Sequence, residues 1–334
     1  MDEPTREDWH QLYQAAVQFR DTAPWHWLTD DDLFAVENPA DGQMGYCVVM
    51  GSGGLEFGLA VFQGDDGFDS YRRLLLGEAE PESLEGAARL RSLSVTFGDR
   101  QYLQKRDRDT IKALGLRFRG RNAWPLFRSQ RPGYSPWFLV REEVLFLNIV
   151  LRQAVRVAEA VRRGDIDLIE GSNPDQVLTF QFREGEWQTA WRGLPEEPEP
   201  ELPAPVDEVR LRRLAAEKGY SRDAWEVDLF FVPAVIDDGK GRPYHPLALL
   251  AFTDQGLVAG LSVLDPWATP DQHQEEFVQV LEKAPALPRE IRVPREETAR
   301  TVRPASQCLD IPVRVGDTSL LDVMREELLE QLGR

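Results

Sequence analysis

The chain has 334 residues, a formal net charge of −18, and 42% hydrophobic and 29% charged residues, the make-up of a folded globular protein with room for two domains. That charge repels phosphate backbones and anionic membranes taken as a whole, which argues against extensive nucleic-acid coating, and no apolar run reaches the roughly 18–20 residues of a spanning helix. Two cysteines, Cys47 and Cys308, cannot make a disulfide framework, and the start Met1-Asp2-Glu3-Pro4 has no signal-peptide pattern, so a cytoplasmic protein is expected.

In chain order, Trp9 to Phe19 places apolar residues at 9, 12, 13, 16 and 17, one face of a helix that Pro24 ends. Leu33–Glu37, Gly45–Met50 and Glu56–Gln63 read as strands, the last two joined through Gly51-Ser52-Gly53-Gly54 as a hairpin. A helix over Phe68–Leu76 leads to an acidic loop. Strand Leu93–Phe97, helix Arg108–Leu114, strand Leu116–Arg119 and the periodic helix Glu142–Val161 follow. Gln176–Phe182 and Glu186–Trp191 read as an extra hairpin. The Pro- and Glu-rich run from Leu194 to Pro205 is a semi-rigid linker. Beyond it come helix Val209–Glu217, strand Leu229–Ile236, a hairpin of Leu247–Phe252 and Leu257–Leu264, and helix Asp271–Lys283. Strand Glu290–Val293, helix Thr298–Cys308, strand Ile311–Val315 and helix Leu320–Leu332 complete the chain.

The second set matches the first. Asp32-Leu33-Phe34-Ala35-Val36 aligns with Asp228-Leu229-Phe230-Phe231-Val232, Gly54 with Gly256, and Gly58 with Gly260. Leu93-Ser94-Val95 aligns with Ile291-Arg292-Val293, and Leu114-Gly115-Leu116 with Leu309-Asp310-Ile311, at offsets of 195 to 202 residues. Arg141-Glu142-Glu143-Val144-Leu145 and Arg325-Glu326-Glu327-Leu328-Leu329 share a helix-opening pattern. The expectation is a mixed α/β fold built as two tandem β-β-β-α-β-α-β-α repeats: 1–193 with an insertion and the extra hairpin, linker 194–206, and a shorter repeat 207–334.

That element order resembles the ribonuclease-H-like fold, in which three antiparallel strands lead into parallel ones. The whole chain also resembles a bacterial two-domain family of unknown function. The segments that carry the likeness are Pro24-Trp25-His26-Trp27-Leu28, Gly45-Tyr46-Cys47-Val48-Val49-Met50-Gly51 with Phe57-Gly58-Leu59-Ala60-Val61, and Pro132-Gly133-Tyr134-Ser135-Pro136-Trp137. The resemblance implies no activity.

Chemical motifs are sparse. Glu37, Asp99 and Glu143 fall at strand ends and a helix start, where a two-metal phosphodiesterase would need carboxylates. In the second half Asp237 could match Glu37, whereas Pro294-Arg295 would set a repelling cation where Asp99 stands. Asp254 reads as a turn residue. The histidines His10, His26, His245 and His273 share no metal-ligand spacing, and His26 between two tryptophans reads as a packed or capping side chain. Met50-Gly51-Ser52-Gly53-Gly54 lacks the lysine of a phosphate loop, Ser52 lies in no nucleophile elbow, and Asp30-Asp31-Asp32 reads as a solvated loop. No cofactor motif is present.

One segment opposes the rest. Between Asp109 and Glu142 no acidic residue occurs, while Lys112, Arg117, Arg119, Arg121, Arg128 and Arg131, with Arg141 closing the stretch, alternate with Phe118, Trp124, Phe127, Tyr134, Trp137 and Phe138. Arginine forks bind anions bidentately and aromatic faces stack on unpaired bases. Arg117, Arg119, Arg121, Trp124, Arg128, Arg131, Tyr134 and Trp137 are therefore the candidate binding set. The expected function is a non-catalytic binding or regulatory protein that docks an unknown protein or an anionic ligand. The alternatives are the phosphodiesterase and an acidic decoy that engages a basic protein. The same arginines could instead pair with the abundant acids of their own chain.

Overall fold

The structure, a computed structural model, describes residues 2–77, 83–168, 173, 175–237, 239 and 241–332, with side chains described as far as 325. Met1, residues 78–82 of the acidic loop, and the side chains of Glu326-Glu327-Leu328-Leu329 lie outside the described residues. The chain divides into two compact units: Met1–Pro81 with Arg89–Arg131 and Pro136–Pro198, and Glu82–Ala88 with Pro132–Ser135 and Glu199–Arg334.

In the first unit, α1 (Arg6–Thr22) opens on a reciprocal cap. The Thr5 hydroxyl accepts from the Asp8 amide at 3.1 Å and the Asp8 carboxylate accepts from the Thr5 amide at 2.9 Å. Ala23 in the left-handed region and Pro24 stop it. β1 (Phe34–Glu37), β2 (Met44–Met50) and β3 (Phe57–Gln63) form an antiparallel meander. The unit continues with α2 (Gly64–Leu75), while α3 (Leu84–Ala87) belongs to the other unit. Then come β4 (Ser92–Gly98), α4 (Lys105–Ala113), β5 (Trp124–Gln130), α5 (Arg141–Arg163), β6 (Gln176–Arg183) and β7 (Glu186–Gly193). The sheet order is β5-β4-β3-β2-β1-β6-β7, antiparallel throughout except that β6 runs parallel to β1.

Alternation along the strands sorts the side chains onto two faces. Phe34 and Val36, Cys47 and Val49, Leu59 and Val61, and Leu93 and Val95 join Leu12, Phe19, Leu147 and Leu151 of α1 and α5 in the main core. Ala35, Tyr46, Val48 and Phe62 face the other way, against Phe68 and Tyr71 of α2. Fully buried side chains of this kind stabilise by roughly 1.5–3 kcal/mol each, so α1 and α5 hold their places by packing rather than by propensity.

The second unit contains α6 (Glu208–Lys218), β8 (Ala224–Phe231), β9 (Leu247–Thr253), β10 (Val258–Leu264), α7 (Pro270–Lys283), β11 (Glu290–Val293), α8 (Glu296–Cys308), β12 (Val313–Val315) and α9 (Ser319–Leu332). Its order is β10-β9-β8-β11-β12, with β8, β9 and β10 antiparallel and β11 and β12 parallel to β8. Trp225, Val227 and Leu229 pack with Leu211, Phe277 and Val302 of α6, α7 and α8. Phe230, Ala248 and Leu250 pack with Leu321 of α9.

The mixed α/β class therefore holds, but the two units do not share one strand order. Both carry a meander followed by a helix, with Gly54 and Gly256 at positive φ in the matching hairpin turns. Beyond that they diverge. β4 adds antiparallel to β3, whereas β11 adds parallel to β8. Leu93-Ser94-Val95 and Ile291-Arg292-Val293 thus sit on opposite sides of their meanders, and the parallel neighbour of β1 is β6. The ribonuclease-H-like order expected of both halves is not a property of the first unit. Cys47 lies in β2 and Cys308 ends α8. Arg141 opens α5, whereas Arg325 lies well inside α9. Residues 116–119, expected as a strand, are irregular, and the strand lies instead at β5. Apolar alternation marks a strand without saying which neighbour it will take.

Candidate ligand-binding site

β5 splits the arginine-rich segment by its own pleat. Pro125, Phe127 and Ser129 are buried, while Trp124, Leu126, Arg128 and Gln130, which alternate with them, are half-buried. Pro125 is tolerated because β5 is an edge strand.

Arg128 is spent internally. Its Nη1 and Nη2 donate to Asp107 Oδ1 and Oδ2 at 2.9 and 2.8 Å, Nη1 also donates to the Phe127 carbonyl, and the guanidinium lies 4.9 Å from the Phe138 ring. Arg131 donates to Glu143 at 2.8 Å, and Arg141 to Asp8 at 3.0 Å. Trp124 packs on the main core with Phe118 at 5.6 Å between centroids, and Trp137 meets Phe138 edge-on at 5.3 Å. Tyr134 belongs to the second unit, where it stacks on Trp267 at 5.4 Å. The eight candidates therefore do not form one patch. Their aromatic members are packing residues, because a ring that can reach a core gains more there than in water.

What remains is Arg117, Arg119 and Arg121. All three are exposed, and among the described residues they have no ion pair or hydrogen bond. They alternate with Leu116 and Phe118, which turn inward and line a cleft of about 740 Å³ together with Tyr13 and Asp21 of α1, Trp27, and Glu159 and Arg162 of α5. The Arg162 guanidinium lies 5.2 Å from the Trp27 ring, and Trp27 Nε1 donates to the Ala158 carbonyl at 2.9 Å, so this wall is fixed. Burial, helped by the nearby Asp107 carboxylate, pushes the Tyr13 hydroxyl well above its ordinary range and keeps it neutral. Asp21 is paired with Arg20 at 2.7 Å.

The alternative carboxylate set is dispersed. Glu143 accepts from Ser129 Oγ at 2.7 Å, and Ser129 is paired with Leu93. Asp99, six residues beyond Leu93 and just past the end of β4, lies about 20 Å away at the ordinary strand rise and accepts from the Asn122 amide. Glu37 ends β1, three strands from β4 and four from β5, about 14–19 Å at the usual interstrand spacing. Its carboxylate is clamped by Arg183 and Gln181, and the Arg183 hydrogen bond holds it below the usual carboxylate range. These carboxylates cannot share an ion. Among the described residues no three His, Cys, Asp or Glu side chains are grouped to hold a metal.

The remaining sequence candidates resolve as local structure. Asp237 accepts from the Gly239 amide, Asp254 from the Ala224 amide, and Asp32 from the Thr29 amide and hydroxyl. His26 is exposed rather than packed. Arg295 does stand as a cation beside β8, with Nη2 3.2 Å from the fully buried Asp228. Desolvation pushes the Asp228 carboxyl above its usual range, against the pull of Arg295. Sequence reasoning did not see Ser135 Oγ within 3.3 Å of His245 Nε2, because the pair is 110 residues apart. His245 Nδ1 faces the Val232 carbonyl at 3.3 Å rather than a carboxylate, so the ring is oriented without the charge that would stabilise an imidazolium.

Among the described residues no helix is long and apolar enough to cross a membrane. Residues 9–179 match the family model described as Domain of unknown function (DUF7309), and residues 210–329 match a second, Domain of unknown function (DUF6930). No curated protein matches the chain.

Proposed function

We propose that this chain, which belongs to the family described as Domain of unknown function (DUF7309), works by binding and not by catalysis, taking an anionic ligand with a planar ring at the first unit's cleft. The observation that carries this reading is that Arg117, Arg119 and Arg121, exposed and without an ion pair among the described residues, alternate with Leu116 and Phe118, which line the cleft with Tyr13 and Trp27. The cleft volume of about 740 Å³ lies within the range of small-molecule sites, roughly 300–1,000 Å³. A ring stacked on Phe118 or Trp27 would place an acidic arm at the arginine row, where charge-assisted bonds are the strong ones. The dispersal of Glu37, Asp99 and Glu143 also supports binding over phosphodiester cleavage. A cytoplasmic location fits the same reading.

The test is the triple charge reversal of Arg117, Arg119 and Arg121 to Glu. Calorimetric titration with AMP and with inorganic phosphate should show AMP binding by the parent, weaker phosphate binding, and AMP affinity in the variant reduced at least about tenfold. The unfolding midpoint should not move, because surface substitutions away from partners stay within about 0.5 kcal/mol. AMP affinity that survives the reversal would sink the proposal, and so would no binding of either probe.

A further inference from the structure

The second unit holds a cleft of its own. About 580 Å³ in volume, it lies between β10 and the first turns of α7, and among its lining residues are Tyr244, Trp267, Asp265, Asp271, Glu275 and Glu276. Three rings meet at its wall. Tyr134 stacks on Trp267 with centroids 5.4 Å apart and planes at 20°, and Tyr244 lies 5.0 Å from Trp267. Trp267 nevertheless remains 52% exposed, so the stack is presented to solvent.

Among the described residues the lining carries four carboxylates and no lysine or arginine. Two are engaged: Glu275 by Arg210 at 2.9 and 3.0 Å, and Asp271 by the Ala204 amide. Asp265 and Glu276 have no ion pair or side-chain hydrogen bond among the described residues. A smaller cavity of about 100 Å³ shares Asp271 and Glu275 with this cleft and is lined also by Gln274. The Gln274 side chain is only 7% exposed. Its Nε2 donates to the Ala204 carbonyl at 2.9 Å, while its Oε1 is buried with no hydrogen-bond partner among the described residues.

Beside the cleft runs β10, the edge strand of its sheet. Val258, Leu261 and Val263 on it are exposed. One long edge of its backbone has no strand partner among the described residues, an arrangement that proteins usually blunt with charge or proline.

We propose that this surface docks a basic peptide in extended conformation. Its backbone adds to the open edge of β10, its apolar side chains cover Leu261 and Val263, and one lysine or arginine enters the aromatic–acidic cleft. The alkyl stem and cationic head lie on Trp267 and Tyr244, where the ring faces attract positive charge. The N–H donors meet Asp265 and Glu276. A partner of this kind is favoured by the long-range field of a chain with net charge −18.

The experiment uses the full chain and a blocked peptide of alternating lysine and valine, titrated calorimetrically at low and at physiological salt. The same peptide with glutamate in place of lysine, and choline, are the comparison ligands. The expected result is a complex that weakens with salt, no binding of the glutamate peptide, and choline binding at least about tenfold weaker than the lysine peptide. Trp267→Ala should lower the peptide affinity about tenfold. Asp265→Asn with Glu276→Gln, which keeps shape and removes charge, should do the same. Both variants are checked for an unchanged unfolding midpoint. Should Trp267→Ala shift the midpoint, the isosteric Asn/Gln pair decides alone. Peptide affinity that the isosteric pair leaves intact would overturn the proposal, as would choline binding as tightly as the peptide, which would mean a small-molecule cation site without strand addition.

Discussion

Replacing Asp107 by Ala tests whether the arginines of the basic segment are structural or available. Asp107 and Arg128 face each other through two parallel hydrogen bonds, with side chains 8% and 12% exposed. Asp107 Oδ2 also accepts from the Gln104 amide at 2.8 Å and so caps α4. Removing one partner of a buried pair costs about 3–5 kcal/mol, because the other charge is left unmatched, and the lost cap is part of that sum. At a urea slope of about 2 kcal/mol/M the loss moves the first unit's midpoint down by roughly 2 M. The assay is urea unfolding followed by far-UV circular dichroism, with the units' transitions fitted separately, since a chain of two units need not unfold in one step. Asp107→Asn keeps an acceptor for the cap and should fall between parent and Ala. The double change Asp107→Leu with Arg128→Met should recover much of the loss, since an apolar pair of similar volume needs no desolvation. A midpoint shift under about 0.5 M in Asp107→Ala would refute the reasoning. Arg128 would then be a loosely held cation, and a ligand could compete for it.

The two units carry carboxylates of opposite pH response. Arg183 and Gln181 hold Glu37 below its usual pKa, so the stability it contributes is full above the unfolded value of about 4.3 and lost as pH falls through the lower folded value. Glu37→Gln should therefore flatten the acid limb of the first unit's stability curve, read from urea midpoints between about pH 2 and pH 7. Burial raises Asp228, so between its unfolded and folded pKa values the folded state holds the extra proton and stability falls as pH rises. Asp228→Asn should remove that slope from the second unit, and an unchanged slope would disprove the assignment. Gly58→Ala should cost about 2–3 kcal/mol or more, because its Cβ would stand 2.2 Å from the Val95 carbonyl oxygen, which backbone pairing holds in place. Gly53→Ala, with open space around it, should stay within about 0.5 kcal/mol on the same denaturation assay.

Some of this molecule could be read along the chain. The periodicity of Trp9 to Phe19 specified α1, and the apolar runs 45–50 and 56–63 around the glycine turn 51–54 specified β2, β3 and their hairpin, because helix periods and tight turns are local properties of the backbone. The absence of acids between Asp109 and Glu142 also marked, without any coordinates, where the chain's charge reverses.

Only tertiary structure decided what those elements meet. That β4 would join β3 while β11 joined β8 depended on long-range pairing, which identical apolar patterns leave open. Arg128, on β5, found Asp107, whereas Arg117, Arg119 and Arg121, in the irregular stretch before β5, found no counter-ion among the described residues, a division that composition does not set. The aromatic–acidic cleft joins Tyr134 to Tyr244 and Trp267, residues more than 100 positions apart. Such a site exists only once the chain has closed the intervening loop, so no local pattern could announce it.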